Sequence, residues 1–94
     1  MDREKVRIVV VETLKELFHE DVALGDDTDP VNDLGLESVD GILLAPRLGQ
    51  RLGFRIPDKE NPLVDAEKGR GRKVGEIVDL LMKLAAEEKE AKHA

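Results

Sequence analysis

The stretch from Asp33 to Gly53 reads DLGLESVDGILLAPRLGQRLG, and its composition changes at Ser38. Its first five residues favour a turn, whereas the mostly apolar residues after Ser38 suit a helix. Serine is a favoured helix N-cap, because its hydroxyl accepts a hydrogen bond from an N–H group of the first turn. Glycine commonly stands just past the last residue of a helix. The stretch therefore predicts a helix, helix two, from Ser38 to about Leu52.

Helix two has two apolar faces when its residues are placed about 100° apart on a helical wheel. One face consists of Leu44, Ala45, Leu48 and Leu52, and the opposite face of Val39, Ile42, Leu43 and Pro46. A small bundle needs only one of them for its core. The second is either a docking surface for a partner protein, which we prefer, or is covered by the segment around Leu63 and Val64. The residues predicted to dock partners are Val39, Asp40, Ile42, Leu43, Pro46, Arg47 and Arg51.

Pro46 lies inside helix two, too far from Ser38 to belong to its first turn. A proline at such a position removes a backbone hydrogen bond and clashes with the carbonyl four residues earlier, at a cost of about 3 kcal/mol. We therefore expect the helix to kink or break between residues 42 and 46. Such a change would reshape the surface next to Ser38.

Two further long helices are predicted from apolar residues that recur three and four positions apart. They cover residues 3–20 and about 74–90. The segment 21–37 is rich in Asp, Asn, Gly and Pro, and is expected to be a loop. Asn61-Pro62 predicts a short helical turn that continues to Ala66. Residues 68–73 are basic and glycine-rich, so we expect a flexible loop there, and residues 87–94 are expected to fray.

Together these elements predict an all-α protein, a small four-helix bundle formed by a single domain over residues 1–94. The bundle has a long loop between helices one and two and an extended segment before the last helix. The chain contains no Trp or Tyr and only two Phe residues, so its core must be aliphatic. We expect it to be a monomer.

The composition excludes several classes of function. Because the chain has no Cys, disulfides, thiolate metal sites and a cysteine nucleophile are ruled out. A net charge of −6 and the lack of aromatic stacking residues argue against nucleic-acid binding. No apolar run reaches the roughly 20 residues that span a bilayer, and the N-terminus does not lead into a signal-peptide pattern. We expect no stable membrane insertion and a cytoplasmic location.

Neither a metal site nor an independent catalytic site is predicted. Four Asp residues lie between positions 26 and 33, but the calcium-loop template fails, because Asn32 stands where it requires Gly. Of the two histidines, His19 lies at the end of helix one, where a protonated ring would suit the negative end of the helix dipole. His93 lies in the tail, so no Ser-His-Asp set can be argued.

Residues 33–40, DLGLESVD, resemble the attachment motif of acyl carrier proteins, which is usually written D-L-G-x-D-S-L. Residues 55–58, RIPD, resemble the I-P-D turn that follows helix two in that family. Residues 6–18 and 74–81 resemble its first and final helices, and the spacing from Ser38 to Pro57 fits without a gap. The chain is therefore identified as similar to acyl carrier proteins, as an atypical or specialised member.

The resemblance implies that a phosphopantetheinyl transferase attaches a 4'-phosphopantetheine arm, taken from coenzyme A, to the hydroxyl of Ser38. The flanking motif residues are Asp33, Gly35 and Glu37. The thiol of the arm would hold an acyl group as a thioester for acyl-loading, acyl-transfer or condensing enzymes. These would belong to fatty-acid, specialised lipid or lipopolysaccharide, or polyketide synthesis. The protein would be a carrier and a phosphoprotein rather than an enzyme, with its phosphodiester at a helix N-terminus that favours negative charge.

The chain departs from the family in two places. Helix two is usually acidic, but here it carries Arg47 and Arg51. Because charge complementarity selects partners, we hypothesise that the carrier serves a dedicated pathway rather than general fatty-acid synthesis. The segment between Pro57 and Val74 is several residues longer than usual. Its basic residues, Lys68, Arg70, Arg72 and Lys73, form either a partner contact or a solvated loop.

Two other functions remain open. A carrier for an amino acid or a peptidyl group would use the same serine, although peptidyl carriers usually place Gly or His before it, and Glu37 favours the acyl type. Alternatively, Ser38 is only a helix cap, and the chain is an unmodified helical module whose second apolar face binds a partner helix.

Overall fold

The fold was analysed in a computed structural model, which describes residues 2–19 and 23–93, the last four of these in their backbone only. Four helices follow one another in the described part: α1 Arg3–Phe18, α2 Pro30–Leu34, α3 Ser38–Leu52 and α4 Val74–His93. Between α3 and α4 lies a two-stranded antiparallel hairpin, β1 Val64–Asp65 and β2 Arg70–Gly71. The predicted small four-helix bundle is therefore confirmed, with the addition of this hairpin.

The core lies where α1 packs against both α3 and α4. Its fully buried side chains include aliphatic residues from all three helices, among them Val6, Val10, Leu14, Leu44, Leu48, Ile77, Val78 and Leu81. Within each helix they recur three or four positions apart, which places them on one face. The predicted aliphatic core is confirmed, since its fully buried apolar side chains are aliphatic, whereas Phe54 retains 9 % exposure and Phe18 is partly exposed.

Polar contacts tie α3 to α1 at the far end of the bundle from Ser38. The buried Thr13 hydroxyl donates to the Val9 carbonyl at 2.6 Å and accepts from Nη1 of Arg51 at 3.0 Å. Arg51 also forms an ion pair with Glu16. These contacts fix α3 against α1 beside the apolar core.

Helix α2 corrects the prediction of an uninterrupted loop over residues 21–37. The carboxylate of Asp29 caps it by accepting from the N–H groups of Val31 at 3.0 Å and Asn32 at 3.2 Å. Pro30 occupies the first helical position, where its missing N–H costs nothing. A helix of five residues is too short to show an apolar period, so the Asp29-Pro30 pair is its only sequence signal.

The hairpin corrects two further predictions, the helical turn from Asn61 to Ala66 and the flexible loop over residues 68–73. Val64 pairs with Gly71 and Asp65 with Arg70. The Asp65 carboxylate accepts from the N–H groups of Glu67 and Lys68 at 3.0 and 3.2 Å, which closes the turn. The bundle has one short helix as predicted, but that helix is α2 rather than a turn in this segment.

The basic residues of the hairpin make ion pairs within the chain. Arg70 donates two hydrogen bonds to the carboxylate of Glu76, at 2.9 and 2.8 Å. These bonds, followed by one from the backbone N–H of Lys73, lower the pKa of Glu76 to about 2. Arg72 lies 3.7 Å from Glu60 and 3.9 Å from a carboxylate oxygen of Asp65. Arg70 and Arg72 are therefore held by carboxylates of the chain itself rather than free in a solvated loop, and a role in partner contact stays a prediction.

The bounds of the long helices agree closely with those predicted. The observed α3 has the predicted bounds and runs unbroken through Pro46, so the predicted break is wrong. Pro46 has no N–H to donate to the carbonyl of Ile42. Both residues are exposed, so that carbonyl is not shut away from water. The predicted first helix ends two residues late, with Glu20 outside the described residues. The last helix continues to His93, three residues beyond its predicted end.

In the described part of the chain, no helix has the length and apolarity to cross a membrane.

Candidate functional site

Ser38 is the first residue of α3, and Glu37 rather than Ser38 is its N-cap. The backbone N–H of Glu37 donates to the Asp40 carboxylate at 2.8 Å, and the N–H of Asp40 donates to the Glu37 carbonyl at 3.0 Å. The prediction that the serine caps the helix is therefore wrong. The cap is completed by its neighbours, so the hydroxyl of Ser38 is not required for it.

The Ser38 hydroxyl has no hydrogen-bond partner within residues 2–19 and 23–93, and the residue is exposed. The backbone N–H groups of Ser38 and Val39 in the first turn also have no protein acceptor there. Orphan N–H groups and the positive end of the helix dipole favour a negative group at this position. Ser38 thus offers an accessible hydroxyl at an end of α3 that suits a phosphodiester.

A tight connection of three residues, 35–37, leads from α2 into Ser38. Gly35 ends α2 with a φ of +74°, in the left-handed region that residues with a Cβ resist. Its N–H donates to the Pro30 carbonyl, which also accepts from Leu36 at 3.1 Å. Asp33 acts at the other end of α2, where its carboxylate accepts from the N–H of Asp29 at 2.8 Å. The motif residues before the serine therefore shape the loop that presents it.

The second apolar face of α3 is open to solvent. Val39, Ile42 and Leu43 are exposed by 54, 70 and 60 %, and Pro46 is also exposed. The alternative in which the segment around Leu63 covers this face is wrong, because Leu63 is fully buried in the core instead. The opposite face, which includes Leu44 and Leu48, is buried as predicted.

The polar residues of the predicted docking surface differ in what they already contact. Asp40 accepts the N–H of Glu37, and Arg51 is bound to Glu16 and Thr13 on α1. Arg47 is exposed and makes no ion pair in the part of the chain that the structure describes. Of the two arginines predicted on this surface, Arg47 is thus the one available to a partner.

A groove beside Ser38 was not predicted from the sequence. It runs between α3 and the segment 53–61 that returns along it, with Ile42, Ala45, Phe54 and Ile56 among its lining residues. Small residues stand every four positions on this side of α3, namely Gly41, Ala45, Gly49 and Gly53. That spacing forms a stripe along a helix, and it is the signal that could have indicated a close neighbouring segment.

No group of three or more His, Cys, Asp or Glu side chains within the described ranges is arranged to hold a metal ion. The acidic residues of the loop are used locally instead. Asp29 caps α2, and Asp26 pairs with Arg7 at 2.8 Å. The loop therefore serves to hold α2 and the bundle together.

A family model described as a phosphopantetheine attachment site matches residues 8–60, more than half of the chain. The chain belongs to the phosphopantetheine-binding family. Covalent 4'-phosphopantetheine defines this family. Its members are in general carriers that interact with a phosphopantetheinyl transferase and that shuttle bound groups between partner enzymes. The predicted resemblance and its prosthetic group are confirmed. No curated protein and no solved structure matches the chain significantly.

The geometry around Ser38 suits the prosthetic group of a phosphopantetheine-binding protein. The family match includes all of α2, Gly35 and α3 and ends before the hairpin. Within it, a hydroxyl that has no hydrogen-bond partner among the described residues stands at the start of a long helix next to an open apolar face. A phosphodiester on that oxygen would lie beside the orphan N–H groups of the first turn. The arm itself supplies a thiol, which a chain without Cys lacks.

Replacing Gly35 by alanine should lower the free energy of unfolding by about 1 kcal/mol, because a Cβ disfavours the positive φ. Space is not at issue, since a Cβ here would meet nothing within 4 Å. Gly25→Ala is the matched control, in open space and without a positive φ. Urea unfolding of both variants measures the difference. Equal effects at the two positions would contradict the role assigned to Gly35.

Proposed function

We propose that this protein is an acyl carrier in which Ser38 holds the phosphopantetheine arm and the arm holds an acyl group as a thioester. The observation that carries the proposal is that the Ser38 hydroxyl, exposed at the start of α3 and inside the family match, makes no hydrogen bond in the described part of the chain. The flanking residues Asp33, Gly35 and Glu37 support it by forming the loop that presents the serine.

The modification is a transfer from coenzyme A catalysed by a phosphopantetheinyl transferase. The Ser38 oxygen forms a bond to the phosphorus that carries pantetheine. The pyrophosphate P–O bond of coenzyme A breaks, and adenosine 3',5'-bisphosphate leaves with the bonding electron pair. The hydroxyl proton passes to a base of the transferase or to water. On the carrier's side, the step needs only an accessible hydroxyl in a fixed direction, which the cap by Glu37 and Asp40 leaves available.

Partner enzymes are proposed to dock on the apolar surface next to the arm, formed by Val39, Ile42, Leu43 and Pro46. An apolar centre with a charged rim is the usual composition of a transient interface. Asp40 lies at one end of this surface, and Arg47 beside it offers a positive charge. A partner with an apolar patch and a carboxylate opposite Arg47 would be complementary. The positive charge of Arg47 on this surface supports the hypothesis that the carrier has dedicated partner enzymes, which transfer acyl groups outside general fatty-acid synthesis.

A carrier for an amino acid or a peptidyl group is the second candidate within the family. Both types share the serine and the arm, so the geometry of Ser38 favours neither. Glu37, an acidic residue directly before the serine, supports the acyl type. The unmodified interaction module is disfavoured by the family match and would use the same apolar surface.

Incubation with coenzyme A and a broad-specificity transferase should increase the intact mass of the wild type by one phosphopantetheine. Ser38→Ala should gain nothing, because the accepting oxygen is gone. Alanine is tolerated at the first position of a helix, so circular dichroism should show both proteins folded. An addition to Ser38→Ala, or none to the wild type, would refute the attachment site, and the latter would favour the interaction module.

Replacing Ile42 or Leu43 by glutamine should raise the transferase KM for the apo-carrier about tenfold, equivalent to about 1.4 kcal/mol of binding. Both side chains are more than half exposed, so neither change should lower the thermal stability. Glutamine is also a good helix former.

Ile8→Gln is the matched control, because Ile8 is an exposed apolar residue on α1, outside this surface. Its KM should stay within twofold of the wild type. If all three variants behave alike, the surface on α3 is not where this enzyme docks.

A further inference from the structure

Asn61 connects the start of α3 to the hairpin. Its side-chain Nδ2 donates to the backbone carbonyl of Ser38 at 2.8 Å, across 23 positions of sequence. Its Oδ1 accepts from the backbone N–H of Leu63 at 2.9 Å. A carbonyl can only accept and an N–H can only donate, so the two bonds together fix the orientation of the amide. Asn61 thus holds the serine's own backbone in place.

Gly41 makes room for this contact. It is buried in α3, one turn after Ser38, and a Cβ built on it would overlap the amide of Asn61. Glycine in a helix interior costs about 1 kcal/mol relative to alanine. That cost is offset here by the close approach of a side chain that no larger residue would permit.

The segment that carries Asn61 is itself fastened to the hairpin by Arg72. Nε of Arg72 donates to the Asn61 carbonyl at 3.3 Å, and its backbone N–H donates to the Leu63 carbonyl at 2.8 Å. The Arg72 side chain is only 15 % exposed and lies near the carboxylates of Glu60 and Asp65. Arg72 thus fixes the backbone of Asn61, and Asn61 in turn fixes the backbone of Ser38.

The hairpin also reaches the other side of the motif. Strand β2 packs against α2. A Cβ on Gly71 would lie 2.5 Å from the carboxylate of Asp29, the residue that caps α2. The hairpin therefore contacts α2 directly and is linked to α3 through Asn61, so it is connected to the elements on both sides of the loop 35–37. Asn61 and the hairpin lie outside residues 8–60, so they are features of this chain beyond the family match.

We propose that Asn61 is a positioning residue for the modification of Ser38. Through the bond to the Ser38 carbonyl it fixes the first turn of α3 and, with it, the direction of the hydroxyl that accepts the arm. Gly41 is its steric partner. The inference rests on the proposed attachment at Ser38. It assigns the positioning of the Ser38 hydroxyl to Asn61 and to the hairpin that holds Asn61.

The test is the steady-state kinetics of a phosphopantetheinyl transferase on the full-length apo-carrier, followed by intact mass. Asn61→Ala removes both side-chain bonds. Asn61→Asp retains an acceptor for Leu63 but loses the donor to Ser38. Both should lower kcat three- to tenfold, the effect that corresponds to one net hydrogen bond, and leave KM within twofold. The aspartate also introduces a negative charge at this solvent-exposed bond, and added salt screens such a charge. Because the proposed cause is the lost donor and not the charge, the lower kcat of Asn61→Asp should persist at high ionic strength.

Gly41→Ala and the double variant Gly41→Ala/Asn61→Ala complete a double-mutant cycle that tests the coupling between Gly41 and Asn61. Gly41→Ala should lower kcat to the same extent, because its methyl group displaces the amide. The double variant should be no slower than Asn61→Ala alone, since the obstructing side chain is gone. Additive losses would contradict the steric partnership.

The end-point mass separates a positioning defect from misfolding. A slowed but folded variant is modified completely on long incubation, whereas a misfolded fraction stays unmodified. If both Asn61 variants fold and react at the wild-type kcat while the wild type is modified on Ser38, the positioning role is refuted and the attachment site stands. If the wild type is not modified on Ser38, both proposals fail.

Discussion

The burial of Leu44 and Leu48 constrains the rest of the site, because it fixes the rotation of α3 about its own axis. Both side chains are fully buried in the aliphatic core where α1 packs. A helix that places one face in the core must turn the opposite face outwards. That opposite face is apolar here, and it leaves Ile42 and Leu43 in solvent. The same rotation sets the start of α3, and therefore Ser38, at the edge of the exposed surface.

Most arginines of α3 and the hairpin are already paired within the chain and add little free positive charge to the surface around the site. Arg51, Arg70 and Arg72 all pair with carboxylates of the chain itself. Arg55 lies 3.5 Å from Asp58, but both side chains are almost fully exposed, and such pairs contribute little. Arg47 is left as the positive group next to the apolar face. Recognition on this surface then depends on apolar contact, with charge setting the orientation of the partner.

The sequence predicted the parts of the structure that depend on local pattern. Helix α3 was predicted with its observed bounds, and the apolar period located α1 and α4 to within three residues. The motif around Ser38 indicated the family that the comparison then showed. The N-cap was assigned one residue late because serine and glutamate both stand at the boundary, and the reciprocal partner, Asp40, decided between them.

The features that were missed depend on contacts between distant residues. The hairpin is held by side chains such as Asp65 and by the pairing of Arg70 with Glu76, neither of which leaves a periodic pattern. The bond from Asn61 to Ser38 joins positions 23 residues apart. Pro46 was expected to break α3, yet its position is exposed, where the unpaired carbonyl of Ile42 is not sealed in the core. Tertiary packing thus decided what local propensity could not.

The central claim, that Ser38 carries an acyl-loaded phosphopantetheine arm, is tested most directly on protein purified from the cells that produce it. Fragmentation mass spectrometry of its peptides should locate phosphopantetheine on the peptide containing Ser38. Thioester cleavage with hydroxylamine should then release an acyl group whose mass identifies the cargo. A native protein whose Ser38 peptide is entirely unmodified, or which carries the arm on another residue, would contradict the account. An aminoacyl or peptidyl group in place of the acyl group would contradict the assignment of the cargo.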